Sequence, residues 1–251
     1  MNLPNKESNT EREATERSRR AFLTMGLAAA AGYGGWAWMR SRSQEGGVEL
    51  PLRAILRENE RVAEAYFSNG HLSPTFGQSQ VNAGTRKNGD VGLGEDFEPE
   101  QWVLSVQGYD NAFTRQVTMA QIRVLPCVQQ ITQLNCIEGW TVIVQWVGAR
   151  FADFTARYAP QFRNAKYVSM KTPDQTYFVG LDSASALHPQ TLLCYEMNGA
   201  ALTGAHGAPL RLVIPVKYGI KNIKRIGEIA YTNERPEDYW ANEGYDWYAG
   251  L

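Results

Sequence analysis

The stretch Leu134-Asn135-Cys136-Ile137-Glu138-Gly139-Trp140 sets a thiol, a carboxylate two residues on and a glycine at the end of a strand-like run. A thiolate is a soft, polarisable ligand that suits a high-valent metal centre. The carboxylate can move protons, and the glycine lets backbone come close to a ligand. Alone, Cys136 reads as readily as a small apolar residue buried beside a strand end. A second cluster starts at Asn198-Gly199, resumes at His206-Gly207-Ala208-Pro209-Leu210-Arg211 and runs from Pro215 through Lys224. Its glycines alternate with four cations, Arg211, Lys217, Lys221 and Lys224. Exposed backbone N–H groups and cationic side chains are what hold a phosphate, although the spacing of a nucleotide-binding P-loop is absent. The plainer alternative is a basic hairpin with solvated lysines. His71, His188 and His206 are scattered, so no HExxH or three-histidine metal site is available at useful spacing. Cys127, Cys136 and Cys194 are odd in number and form no CxxC, so at least one thiol is free. Cys127 and Cys194 are expected in the core.

These groups need a scaffold of short elements. Residues 50–67 have helical character, with Leu52, Ile55, Leu56, Val62 and Ala65 on one apolar face. Residues 68–100 are rich in Gly, Asn, Ser and Pro and read as irregular surface broken by short strands. Strands are expected at 102–106, 128–134, 141–147, 167–170, 177–179, 192–197, 211–216 and 223–231. Helical pieces are expected at 118–125, capped by Thr118 and ended by Pro126, and at 151–158 and 183–187. The tail, 232–251, is acidic and aromatic (Tyr239, Trp240, Tyr245, Trp247, Tyr248) and is expected to wrap the domain surface. The sum is a mixed α+β domain with many loops.

With 251 residues, 43% hydrophobic, the chain can bury one sizeable catalytic domain. A net charge of -1 gives no reason to expect nucleic acid. The first 47 residues stand apart. Residues 1–17 are polar and build no core; Ser18-Arg19-Arg20-Ala21-Phe22-Leu23-Thr24 then leads into an uncharged run to Met39. Adjacent arginines before a moderately apolar segment are the layout of a twin-arginine export signal. Residues 21–39 approach the length of a membrane span, so cleavage and retention as an anchor both stay open, and residues 44–47 read as a linker.

Four pieces in chain order, over roughly residues 64–251, resemble the sulfite oxidase-like molybdopterin-dependent oxidoreductases. Within that family they resemble the bacterial branch that includes the periplasmic methionine-sulfoxide reductase catalytic subunit. Asn88-Gly89-Asp90-Val91-Gly92 and residues 102–108 resemble its entry strands, and Cys136 through Trp140 with Trp146-Val147-Gly148 its cysteine loop. Residues 198–199, 206–211 and 217–224 resemble its pterin-phosphate loop, and Tyr239-Trp240 through Tyr248 its close. The resemblance implies a single sulfite oxidase-like molybdopterin-binding domain at 48–251, of mixed short strands and helices, and a molybdenum–molybdopterin cofactor (Mo-MPT). Cys136 is then the metal ligand and Glu138 a proton-moving carboxylate beside it. Arg211, Asn222, Ile223 and Lys224 then hold the pterin phosphate, with Lys221, His206 and Thr172 as further cofactor contacts and residues 69–73 as N-terminal ones. The implied reaction is two-electron oxygen-atom transfer on a small oxo-substrate, S-oxide or N-oxide reduction first and sulfite-type oxidation second. Electrons are then exchanged with a separate membrane or periplasmic protein, a cytochrome or quinone-linked haem subunit. The sequence departs from true sulfite oxidases: the cysteine is followed by Ile-Glu-Gly-Trp rather than an arginine-rich loop and no CxxCH occurs, and no second, immunoglobulin-like dimerisation domain is expected. The rival expectation is an exported ligand-binding or assembly protein that keeps this fold without catalysis, which a degenerate cofactor site would mark.

Overall fold

The computed structural model describes residues 6–251 apart from 46, 85, 88, 95, 96 and 110–112. Asn88, Gly46 and the first five residues thus lie outside the described residues. The chain divides into two compact units, one ending at Ile55 and one running from Leu56 to Leu251.

The first unit holds helix α1 (Lys6–Arg40), strands β1 (Gln44–Glu45) and β2 (Val48–Glu49), and the start of α2 (Leu50–Tyr66). The expected linker is instead part of a small hairpin, with Gln44 opposite Glu49 and Glu45 opposite Val48. Arg53 donates to the Glu45 carbonyl through Nε and Nη2 at 3.2 and 2.9 Å. Among the described residues no helix is long and apolar enough to cross a membrane. Helix α2 is in the expected place but in a different phase. Leu52, Ile55 and Val62 face solvent, whereas Arg53 and Glu60 are buried. The buried charges have partners, since Glu60 takes Arg235 at 2.6 Å, and an ion pair overrides a weak apolar stripe.

The second unit continues with β3 (Leu104–Gln107), β4 (Thr114–Val117), α3 (Met119–Arg123), β5 (Cys127–Asn135), β6 (Thr141–Arg150) and α4 (Phe151–Tyr158). There follow β7 (Tyr167–Lys171), β8 (Phe178–Asp182), α5 (Ser183–Ala186), β9 (Leu192–Met197), β10 (Ala200–Ala201), β11 (Arg211–Val213), β12 (Glu228–Thr232) and α6 (Tyr239–Asn242). One sheet runs β10-β9-β6-β5 with β11 also on β9, and the other runs β4-β3-β12-β7-β8. Only the β12–β3 pairing is parallel among the described strands. The α+β expectation holds. Helix α4 buries Phe151, Phe154, Thr155 and Tyr158 at i, i+3, i+4 and i+7, the spacing of one helical face. Thr118 caps α3 in a reciprocal box: its backbone N–H donates to Gln121 Oε1 at 2.9 Å, and its hydroxyl accepts from the Gln121 N–H.

Several expectations change. Residues 68–100 form no strand among the described residues, only short turns and one bridge from Thr75 to Thr132, so Gly89 to Gly92 are loop. β4 is an unexpected edge strand, polar because three of its four residues face water. The strand expected over 223–231 is confined to Glu228–Thr232, since Arg225 sits at φ +48 and breaks the extended run. Cys127 is exposed rather than in the core, because it opens β5, an edge strand whose first residue points outward. Cys194, on the interior strand β9, is fully buried, and burial pushes its thiol up to about 11.

The lysines of the cationic cluster are not solvated. Lys221 is fully buried and donates to Asp238 Oδ2 at 2.5 Å and to the Gly180 carbonyl at 2.9 Å. The same carboxylate accepts from Gly180 N–H at 3.1 Å, and its other oxygen caps α6 through Ala241 N–H. Lys217, 2% exposed, lies 3.4 Å from Asp182 and over the Tyr248 ring. Burial, partly offset by Asp182, lowers its pKa to about 7.

Asp238→Leu leaves the Lys221 ammonium buried without its counter-charge and uncaps α6. It should cost about 3–5 kcal/mol and lower the thermal midpoint by roughly 10 °C; a calorimetric shift no larger than that of a surface substitution would contradict this. Lys217 gives a pH test. Its folded pKa lies below its unfolded value, so between pH 7 and the usual lysine range the unfolded chain binds the extra proton, and raising pH through that window favours the folded state. The stability difference between wild type and Lys217→Met should therefore move in favour of the wild type from pH 7 to pH 10 in denaturant titrations, and a flat difference would exclude the lysine as its source.

Candidate active site

The β5–β6 hairpin carries the thiol. Its strands pair through to Asn135 opposite Thr141, and the loop closes by Cys136 N–H to the Trp140 carbonyl and Gly139 N–H to the Cys136 carbonyl, both 3.0 Å. Gly139 turns at φ +85, a conformation that glycine adopts without strain. Cys136, 5% exposed, lines a cavity of about 460 Å³. The Gly219 turn closes on this loop so tightly that a Cβ there would meet the Asn135 carbonyl oxygen at 3.3 Å. The exposed edge of β6 is sealed by two asparagines: Gln145 N–H donates to Asn198 Oδ1 at 3.0 Å, and Ile143 N–H to Asn82 Oδ1 at 2.7 Å. Asn198 thus serves the sheet and is not among the cavity's lining residues.

Arg211, Asn222 and Lys224 line the same cavity as Cys136 and Glu138. Arg211 enters from β11, its guanidinium 4.9 Å from the Trp146 ring centroid and donating to the His206 and Asn222 carbonyls at 3.2 and 3.4 Å. Its Nε is buried with no hydrogen-bond partner among the described residues. Burial lowers its pKa to about 10. Lys224 donates to the Gly89 and Ala205 carbonyls at 2.9 and 3.0 Å. Burial and then Arg211 lower its pKa to about 8, against the pull of Asp90. His206 sits with Arg211 and Lys224 around a smaller adjoining cavity, and its pKa is lowered by burial and then by Arg211, Lys224 and Lys87. The back wall is thus a set of mutually repelling cations. Asn222 spends its side-chain amide internally, accepting from Ile214 N–H at 2.9 Å and donating to the Tyr218 carbonyl at 3.2 Å.

Glu138 lies at the mouth. The Trp140 indole N–H donates to its Oε2 at 2.7 Å, and Arg86 Nη2 lies 3.7 Å from the same oxygen, its guanidinium 4.9 Å from the Trp140 ring centroid. The Arg86 and Glu138 side chains are 59% and 55% exposed, so the pair sets orientation rather than stability. The same cavity is lined by Trp240 and Tyr245 from the tail and by Tyr177, whose hydroxyl donates to the Ile220 carbonyl at 2.6 Å. Part of the aromatic tail therefore lines the cavity, a placement the sequence does not signal beyond the density of aromatics near the cationic loop. Of the other expected residues, Lys221 and Ile223 are buried behind the wall, while Thr172 donates to Asp174 at 2.6 Å and lines a separate cavity with Trp102 and Glu228. Ser73 is engaged with Gln190 and the Pro215 carbonyl.

The donor set fits a metal-bearing organic cofactor that ends in phosphate. Among the described residues no group of three or more His, Cys, Asp or Glu could hold a metal ion. A metal beside Cys136 would take one protein thiolate and the rest of its ligands from a non-protein group. The unpartnered Arg211 Nε in a wall of cations is what an anion would satisfy.

A family model described as the oxidoreductase molybdopterin binding domain matches residues 91–240. The YedZ1 protein of Azospira oryzae is 32% identical over 237 residues, 93% of this chain and 88% of that one. The protein-methionine-sulfoxide reductase catalytic subunit MsrP of Xanthomonas axonopodis pv. citri is 30% identical over 254 residues, 96% of this chain and 77% of that one. MsrP of Campylobacter jejuni is 33% identical over 187 residues, 66% of this chain and 62% of that one. Among solved structures, the sulfane dehydrogenase SoxCD from Paracoccus pantotrophus shares the fold, with a TM-score of 0.50 at 15% identity over 57% of this chain and 41% of that one. A cavity built from one thiol and a wall of cations, inside a domain that this family model matches, makes the chain a molybdopterin-dependent oxidoreductase, and it belongs to the sulfite oxidase-like family of molybdopterin-binding oxidoreductases.

Proposed function

We propose that this chain is the catalytic subunit of an exported reductase that acts on S-oxides, with methionine sulfoxide in proteins as the substrate class. The observation that carries the reading is the single cavity lined by Cys136 together with Arg211 and Lys224. The direction of the reaction draws support from the relatives named as protein-methionine-sulfoxide reductase subunits. Their designation as catalytic subunits supports a separate electron donor, a membrane or periplasmic cytochrome or quinone-linked haem subunit. The twin-arginine layout at Ser18–Thr24, with a charge-free run to Met39, supports export to the periplasm.

Cys136 supplies the thiolate to molybdenum, and Arg211, Lys224 and the backbone around Asn222 hold the pterin phosphate. His206 stands behind those cations, and the buried Lys221 and Ile223 support that wall from within; Thr172, in its separate cavity, takes no part. When bound, molybdenum–molybdopterin supplies two-electron oxygen-atom transfer: the S–O bond breaks, and two electrons from the haem donor with two protons yield thioether and water. Glu138, oriented by the Trp140 N–H, relays protons at the mouth toward the departing oxygen.

In a host that makes molybdopterin, wild-type protein should carry close to one molybdenum per chain. Cys136→Ala should lose it more than about tenfold, the range already reached when outer partners of a metal ligand are removed, with folding by circular dichroism retained. Equal metal in the two proteins, or none in either, would sink the assignment. Glu138→Gln should keep its molybdenum yet lose about 10²-fold or more in kcat for methionine sulfoxide; an unchanged kcat would remove Glu138 from the proton path.

A further inference from the structure

The tail carries five aromatic side chains, and the structure uses them in two ways. Trp247 and Tyr248 are buried and cover Lys221 and Lys217, 4.7 and 2.8 Å from their ring centroids. Trp240 and Tyr245 do not enter the core; they line the same cavity as Glu138, and Tyr245 remains 40% exposed. Their rings meet edge to face at 5.2 Å, and Tyr245 N–H donates to the Trp240 carbonyl at 2.9 Å, which sets the two rings as one unit. Tyr239 packs against them, tilted on Tyr177 at 5.2 Å and edge-on to Trp240 at 5.4 Å. This segment is pinned by Asp238, whose carboxylate caps α6 and accepts from the buried Lys221 ammonium. Lys221 lies between Ile220 and Asn222, both of the cationic wall. One buried ion pair therefore fixes the spacing between the cationic wall and the aromatic one.

We infer that the tail is the specificity wall of the site: Trp240 and Tyr245 receive the apolar arm of the S-oxide, with Asp238 and Lys221 as the residues that position them. The inference rests on the reductase reading above. A substrate whose oxygen is directed to the Cys136 end leaves its carbon substituents at the mouth. There the lining offers both aromatic faces and a charged pair, Glu138 with Arg86. Thioethers and alkyl chains pack favourably on aromatic rings, and peptide amides pair with charged groups. The mouth therefore matches a methionine sulfoxide side chain laid on the rings, with its flanking backbone toward Glu138 and Arg86. A small sulfoxide has nothing to place on either.

The test uses molybdenum-loaded protein with two substrates, N-acetylmethionine sulfoxide amide and dimethyl sulfoxide, and molybdenum content as the control for loading. In Trp240→Ala and Tyr245→Ala, kcat/KM for the methionine derivative should fall about tenfold through KM, as loss of one aromatic contact dictates. Dimethyl sulfoxide turnover should be unchanged, and Trp240→Phe should restore most of the loss. Asp238→Asn, which keeps the shape of the pinning group but not its charge, should raise KM for the methionine derivative per molybdenum bound, together with a loss of stability because Lys221 loses its counter-charge. A second readout needs no turnover: calorimetric binding of the thioether N-acetylmethionine amide should weaken by the same factor in the two alanine variants. Equal losses on both substrates, or unchanged binding of the thioether, would overturn the inference. If wild type reduces neither sulfoxide, the reductase reading fails and the binding series alone decides the wall: weakened binding upholds it and unchanged binding rejects it.

Discussion

Cations kept out of water set the architecture of this protein. Arg211, Lys217 and Lys221 are all at most 4% exposed, and a buried charge is tolerated only where hydrogen bonds or a counter-charge offset its desolvation. Each is treated differently. Lys221 has a full partner in Asp238, Lys217 has Asp182 nearby and an aromatic ring but no hydrogen-bond partner among the described residues, and Arg211 has carbonyls, an indole face and one donor with nothing to bind. Satisfaction is complete at Lys221 and incomplete at the other two, of which only Arg211 borders the cavity. Where it runs out, the protein is left with an appetite for an anion. The structural and the functional cations are thus one series, graded by how completely the chain itself neutralises them.

That gradient explains why neighbours in sequence do different things. Lys221, Asn222, Ile223 and Lys224 lie in a row, and a resemblance that runs along the chain assigns all four to the cofactor. In a tight turn successive side chains leave in different directions: Lys221 and Ile223 go into the core, while Asn222 and Lys224 reach the cavity. Such alternation is a property of local backbone geometry, and residue type does not encode it.

Regular elements with strong periodicity were legible from residue type. Helix α4 lies where its spacing puts it because it buries one continuous face, and strand β9 because its apolar run is buried on both faces. Elements that depend on long-range partners were not. The phase of α2 is decided by Arg235, far along the chain, and the polar edge strand β4 is a strand because β3 offers it hydrogen bonds. The same limit applies to the site. Cys136 and Glu138 were visible because thiol, carboxylate and glycine share one loop. Trp240 and Tyr245 were not, since nothing in an aromatic tail states which rings will be buried and which will border a cavity. Cys127 makes the point in reverse, an apolar side chain carried to the surface by the position of its strand.

The placement of β12 has a consequence for how the domain comes into being. It lies between β3 and β7, pairing parallel to the first and antiparallel to the second, so the middle of that sheet is supplied by residues 228–232 near the end of the chain. Until residues 228–232 are in place, β3 and β7 lack the strand that joins them, and their hydrogen-bonding edges stay open. The sheet therefore cannot accrete strand by strand in chain order; it closes through a long-range pairing, the kind of contact that forms slowly and leaves edges open to mispairing meanwhile.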